Sequence, residues 1–100
     1  MATGAQPEYE YPTRYVLRRI RSWPYTRGFV ALMDYVRARW WTPEWGWSQE
    51  GRFYRFSTGG WSGNESLVGA MEGNRMFWSL CWESSRRGGH YVIEIPERIA

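Results

Sequence analysis

The stretch MFWSLCWESSRRGGHYVIEIP, Met76 to Pro96, limits the fold more than any other part of this chain. Trp78, Leu80, Trp82 and Ser84 alternate along its first half, and Tyr91, Ile93 and Ile95 alternate along its second. A period of two is the pattern of a half-buried strand. A hairpin turning at Arg87-Gly88 pairs Ser84 with Tyr91, Trp82 with Ile93 and Leu80 with Ile95. That register gathers the large apolar side chains on one face, and a slip of one residue would scatter them. The other face then carries Cys81, Glu83, Ser85, His90, Val92 and Glu94. An apolar hairpin face has to be covered by the rest of the domain, so the remaining segments are read for what could cover it.

The best helix spans Thr26 to Trp41. Phe29, Leu32, Met33, Val36 and Trp40 fall on one stripe at helical spacing. Thr26 is placed to cap its start and Pro43 to end it. Arg52 to Phe56 reads as an aromatic strand, with Gln49-Glu50-Gly51 as a turn and Trp45 to Ser48 as a short partner. Ser62 to Asn74 reads as a second helix. Ser62 and Glu65 match a capping box there, Leu67, Val68 and Met71 supply the buried side, and Gly73-Asn74 the stop. Thr13 to Trp23 fits either state. Val16, Leu17, Ile20 and Trp23 share a helical face, but the β-branched and aromatic content favours a strand. The expected architecture is α+β: a largely antiparallel sheet with a C-terminal β-hairpin and two helices packed on one face. Residues 1–12 read as a flexible N-terminal arm and residues 13–100 as a single domain.

Composition narrows the function classes. Eight Trp, seven Tyr and four Phe in 100 residues can build a core from few positions. They also exceed what one small core absorbs, so some should meet a partner or ligand. All 13 basic residues are arginine, and the net charge is +3. Each is a planar fork suited to phosphate or carboxylate, but the overall charge falls short of a general nucleic-acid binder. Cys81 is the only cysteine and His90 the only histidine. Thiolate zinc sites, intrachain disulfides and His-pair metal sites are thereby excluded, and no cofactor is expected. No apolar run is long enough for a membrane span, and the N-terminus lacks the pattern of a signal peptide, so a cytosolic protein is expected.

Two loops stand out as ligand candidates. In STGGWSGNES, Ser57 to Ser66, a glycine-rich turn precedes a helix start, where backbone N–H groups and the helix dipole favour an anion. Thr58, Gly59, Gly60, Ser62 and Asn64 would line it, with Trp61 as a stacking platform. The run matches neither the phosphate-loop pattern nor G-x-G-x-x-G, so a purely structural turn fits it equally well. In SSRRGGH, Ser84 to His90, Arg86 and Arg87 put guanidinium forks on a glycine turn with His90 just beyond. A solvated turn is the plain alternative there. Glu83, Ser85 and His90 also share a face in the expected register. A small hydrolase is conceivable from that trio, without a nucleophile elbow to support it.

At YRFSTGGWSGNESLVGAM and MFWSLCWESSRRGGHYVIEIP the chain resembles small proteins of phages that infect actinobacteria. The resemblance covers residues 52–96 and carries no assigned activity and no residue roles. It implies a protein made in a bacterial host's cytoplasm, where small phage proteins commonly bind a host protein, a nucleic acid or a nucleotide signal. The expected function is therefore non-enzymatic binding of an anionic, nucleotide-like small molecule, with a sponge for a host defence signal as one version. The alternative is an inhibitor that docks on a host protein through Trp40-Trp41 and Trp45-Gly46-Trp47 with neighbouring arginines. Sheet edges in so small a domain also favour a homodimer.

Overall fold

The computed structural model describes residues 11–100, so all but Tyr11 and Pro12 of the expected arm lies outside the described residues. In chain order the helices are α1 (Arg14–Arg21), α2 (Phe29–Arg37), α3 (Pro43–Gly46), α4 (Ser62–Gly73) and α5 (Arg75–Cys81). The strands are β1 (Trp47–Glu50), β2 (Phe53–Ser57), β3 (Trp82–Arg86) and β4 (His90–Glu94), with 3-10 turns at Tyr25–Arg27 and Glu97–Ile99. The strands form one sheet in the order β1-β2-β4-β3, antiparallel throughout. The α+β class and the antiparallel sheet are as expected.

The first segment is a helix, not the favoured strand. Thr13 Oγ1 accepts the Val16 N–H at 3.2 Å and caps α1. Ile20 is buried, and Val16 and Leu17 pack against the core. Helical spacing of the apolar stripe outweighs two β-branched residues among arginines, which are good helix formers. Helix α2 buries Phe29, Leu32, Met33 and Val36 as expected, but begins at Phe29 because Gly28, at φ 84°, separates it from the turn holding Thr26. Its regular part ends at Arg37, before Pro43. The proline instead opens α3 at a first-turn position, where its missing N–H costs nothing.

The C-terminal hairpin is real but shorter than expected. Arg75–Cys81 is helical, with Phe77 and Cys81 buried one turn apart. Asn74 decides this: its Oδ1 accepts the Phe77 N–H at 3.2 Å, and its Nδ2 donates to Ile20 O and Trp23 O at 3.0 Å each. One buried amide thus caps α5 and ties it to the end of α1. Leu80 has no strand partner and is 39% exposed, and Cys81 sits in the core and not on the hairpin's polar face. Trp82 does face Ile93, but an irregularity between Trp82 and Ser84 shifts the remaining pairs. Ser84 lies opposite Val92, Ser85 opposite Tyr91 and Arg86 opposite His90. The turn is Arg87 to Gly89, with Gly88 at φ 94° and Gly89 at φ 81°.

The other hairpin pairs Trp47 with Phe56 and Glu50 with Phe53, two residues later than expected, and Gly51 at φ 63° makes its turn. Helix α4 begins at Ser62 with Trp61 as the cap residue, so the expected capping box is not formed. The first helical bond runs from the Glu65 N–H to Trp61 O at 3.0 Å, which places Ser62 inside the first turn. The core holds Trp47, Tyr54, Phe56 and Ile93 from the sheet together with the buried faces of α2, α4 and α5.

Candidate anion-binding face of the sheet

Alternation and register together bring two rows of three side chains side by side on the outward face of the sheet, next to the Phe53 and Glu94 pair. Tyr54 and Phe56 turn inward, so Arg55 and Ser57 turn outward. Across the strands, Arg55 lies beside Val92, which lies beside Ser84. One row further, Ser57 lies beside His90, which lies beside Arg86. These two rows line a groove of about 630 Å³. Ser57 Oγ and His90 Nδ1 are 2.6 Å apart, so the imidazole is held by its cross-strand neighbour. No carboxylate is among the lining residues.

The two loops singled out in the sequence meet at one end of this face. The Thr58 N–H donates to Gly89 O at 3.0 Å. A Cβ on Gly89 would collide with the Thr58 side chain, so the glycine-rich loop seats the arginine tip. The candidates separate on burial. Thr58 is 2% exposed and its Oγ1 accepts the Gly60 N–H at 3.3 Å. Asn64 is 1% exposed; its Oδ1 accepts the Trp41 N–H at 2.9 Å, and its Nδ2 donates to Trp41 O and Thr58 O at 3.2 and 3.3 Å. Both side chains are committed to holding the loop closed. Gly59 and Gly60 are exposed at φ 65° and 75°, and Ser62 is exposed at the start of α4. Trp61 is half-buried with its ring 4.2 Å from that of Trp41. The exposed ring beside the loop is Trp45 instead: a Cβ on Gly59 would stand 3.2 Å from it. Arg86, Arg87 and His90 are all exposed.

Arg55, Ser57, Ser84 and Val92 were not among the sequence candidates. The signal for Arg55 and Ser57 was present, since each alternates with a buried ring on β2. Val92 shares its face with His90 in the expected register, whereas Ser84 depends on the irregularity in β3, which the pattern of residues does not show.

The suspected catalytic trio is not assembled. Ser85 faces Tyr91, and its Oγ accepts the Trp82 indole N–H at 2.7 Å. Ser57, not Ser85, bonds His90. Cys81 is buried, and burial pushes its thiol up to about 12, as befits an inert packing group. The Tyr91 phenol is raised by burial and then by the nearby Glu72 and Glu65 carboxylates of α4. Among the described residues no cluster of three His, Cys, Asp or Glu could hold a metal ion. Among the described residues no helix is long and apolar enough to cross a membrane.

Of the four tryptophans in the alternative docking patch two are core, while Trp41 is half-buried and Trp45 exposed. Trp40 and Trp47 are 4% and 8% exposed, their rings edge to face at 5.1 Å, while Trp45 is 70% exposed. Gly46 lets these rings close over β2, since a Cβ there would stand 2.7 Å from Ser57 O. Comparison with protein-family models, with curated proteins and with solved structures returns no match to this chain.

Proposed function

We propose that the open face of the sheet binds a phosphate-bearing, nucleotide-like small molecule without transforming it. The observation that carries this reading is the convergence of Arg55 and Arg86 with His90, Ser57 and Ser84 in one groove that no carboxylate lines. Guanidinium forks grip phosphate oxygens bidentately, and a neighbouring hydroxyl and imidazole add directional bonds. The groove volume lies within the range of small-molecule sites. Arg87 and the exposed backbone at Gly59 and Gly60 stand at its end, where the sequence first suggested an anion. The resemblance to phage proteins supplies a setting, in which capture of a host nucleotide signal is the concrete version.

Isothermal calorimetry against a panel of mono-, di- and cyclic nucleotides tests it. A binder should emerge, and Arg86→Ala should weaken it about tenfold or more, the loss of a charge-assisted bidentate contact. Chromatography after long incubation should return the ligand unchanged. Absence of heat across the panel overturns the reading, and turnover abolished by His90→Ala would replace it with a hydrolase.

A further inference from the structure

Seven of the 13 arginines lie between residues 13 and 41, a stretch with one acid, Asp34; the other six share the chain with nine acids. The net charge of +3 therefore hides a strongly basic helical half. Asp34 is itself exposed, so seven arginines against this one acid leave the stretch six positive charges in excess.

Three of these arginines are mounted on two rings. The Arg39 guanidinium lies 3.6 Å from the Tyr35 ring centre. Arg19 lies 5.6 Å from Tyr35 and 5.5 Å from Trp23, and Arg27 lies 4.6 Å from Trp23. The rings themselves are 5.3 Å apart. The Trp23 ring is anchored by its indole N–H, which donates to Gly28 O at 3.0 Å, and the Arg39 guanidinium is held over Tyr35 by donating Nη1 to the Tyr35 backbone O at 2.9 Å. A guanidinium held over a ring keeps N–H groups for a second partner and loses less rotamer freedom on binding. Tyr15, one helical turn before Arg19, is 63% exposed, and Tyr25, beside Arg27, is 50% exposed.

We propose that this ladder of Arg19, Arg27 and Arg39, flanked by Tyr15 and Tyr25, is a surface for single-stranded nucleic acid. The forks take successive phosphates, and the tyrosine rings stack on unpaired bases. A duplex hides its bases from such rings. A bilayer calls for exposed aliphatic or indole side chains to insert, and between residues 13 and 41 the exposed large hydrophobics are the two tyrosines alone. An acidic peptide offers nothing for the tyrosines to stack on. This surface is separate from the sheet groove and does not depend on it.

Fluorescence anisotropy of the whole chain decides the matter, with a labelled oligothymidylate of about 12 nucleotides, a site size normal for such proteins. The comparison ligands are a duplex of equal length, phosphatidylserine vesicles and polyglutamate. Oligothymidylate should bind best, with a slope of log affinity on log salt near −2, as three phosphate contacts on a single strand require. Arg27→Ala should weaken binding about fivefold and Tyr25→Ala about tenfold. Both side chains are exposed, so folding is spared, and circular dichroism verifies it. Arg75→Ala and Arg98→Ala, exposed and outside both surfaces, should leave oligothymidylate affinity unchanged. Tighter binding of duplex, vesicles or polyglutamate overturns the proposal. So does loss of oligothymidylate binding in Arg75→Ala or Arg98→Ala while Arg27→Ala binds normally.

Discussion

Tyr54, Arg55 and Phe56 are consecutive on β2, yet they belong to two different environments. Tyr54 and Phe56 turn into the core at 1% and 2% exposure, while Arg55 turns into water. On the inner face rings meet rings: Phe56 is stacked 5.0 Å from Trp47 and 5.6 Å from Tyr91, with Trp40 edge-on at 5.4 Å. On the outer face the same strands carry a guanidinium, hydroxyls and an imidazole around a groove. A core of close-packed rings tolerates little change, because every removed atom leaves a cavity. A solvated strand face is free to be rewritten for a ligand. The alternation of one strand thus separates the residues that hold the fold from those that could serve a function.

The largest effect should come from the inner face. Phe56→Ala removes a ring in contact with three others and should cost about 3–5 kcal/mol. Total stability of a domain is about 5–15 kcal/mol, so this variant should be close to unfolded in mild urea, as circular dichroism would reveal. Retention of a near wild-type urea midpoint would show that the rings are not the stabilising layer.

Gly89→Ala probes the junction between the two faces. The residue has φ 81°, and the Thr58 side chain fills the space a Cβ would need. Strain and collision together should cost about 2 kcal/mol or more, and the tip bearing Arg86 should lift away from the Thr58 loop. Urea unfolding and amide exchange at Thr58, whose N–H is bonded to Gly89 O, measure the two consequences separately.

How much of this was legible beforehand depends on which forces acted locally. The stripe of α2, the strand around Tyr54 and the pairing of Trp82 with Ile93 all follow from periodicity, and the structure has them. Met76 to Cys81 reads as a strand because Trp78, Leu80 and Trp82 alternate, yet it is helical. The deciding interaction is the Asn74 amide reaching Ile20 and Trp23, more than fifty residues away in sequence. Thr13 to Trp23 was misjudged from residue type, although a Thr cap and an apolar stripe both pointed to a helix. At the groove, Arg86 and His90 are legible from their chemistry and line it, while Arg87 stands on the turn beyond. Thr58 and Asn64 have the same donor chemistry but are enclosed, and enclosure is a tertiary fact. Arg55 went unnoticed because it stands alone among rings, with no neighbour in sequence to mark it.

A pH titration separates the faces without mutating the ligand site. Burial, then the Asp34 charge, pushes the Tyr54 phenol up from 10.0 to about 12, and burial alone pushes the Cys81 thiol from 9.0 to about 12. Below pH 9 both groups keep their protons in folded and unfolded chains, so neither makes stability vary. Above these unfolded values the unfolded chain releases protons that the folded chain retains, and stability falls until about pH 12. The decline should therefore begin near pH 9 and steepen past pH 10. In Tyr54→Phe the steepening should shrink to the part that Tyr91, also raised, contributes, while the earlier onset remains. Unfolding midpoints followed by tryptophan fluorescence across this range test both statements.

The smallest effect on stability should come from the outer face, and it tests the comparison most directly. Arg55 is exposed and reaches only the Phe53 ring, 5.0 Å away. Ser57 spends its hydroxyl on exposed His90. Neither side chain fills core volume, so Arg55→Ala and Ser57→Ala should each shift stability by no more than about 0.5 kcal/mol. Their urea midpoints should overlay that of the parent chain, while affinity for a phosphate-bearing ligand drops, since both line the groove. The prediction is asymmetric with Phe56→Ala, whose ring is 2% exposed beneath the groove it lines and whose loss should act first on folding. Should Arg55→Ala instead lower the midpoint as far as Phe56→Ala does, the outer row would be part of the stabilising layer. The groove would then be a by-product of packing, and the division of β2 into a structural and a functional side would not hold.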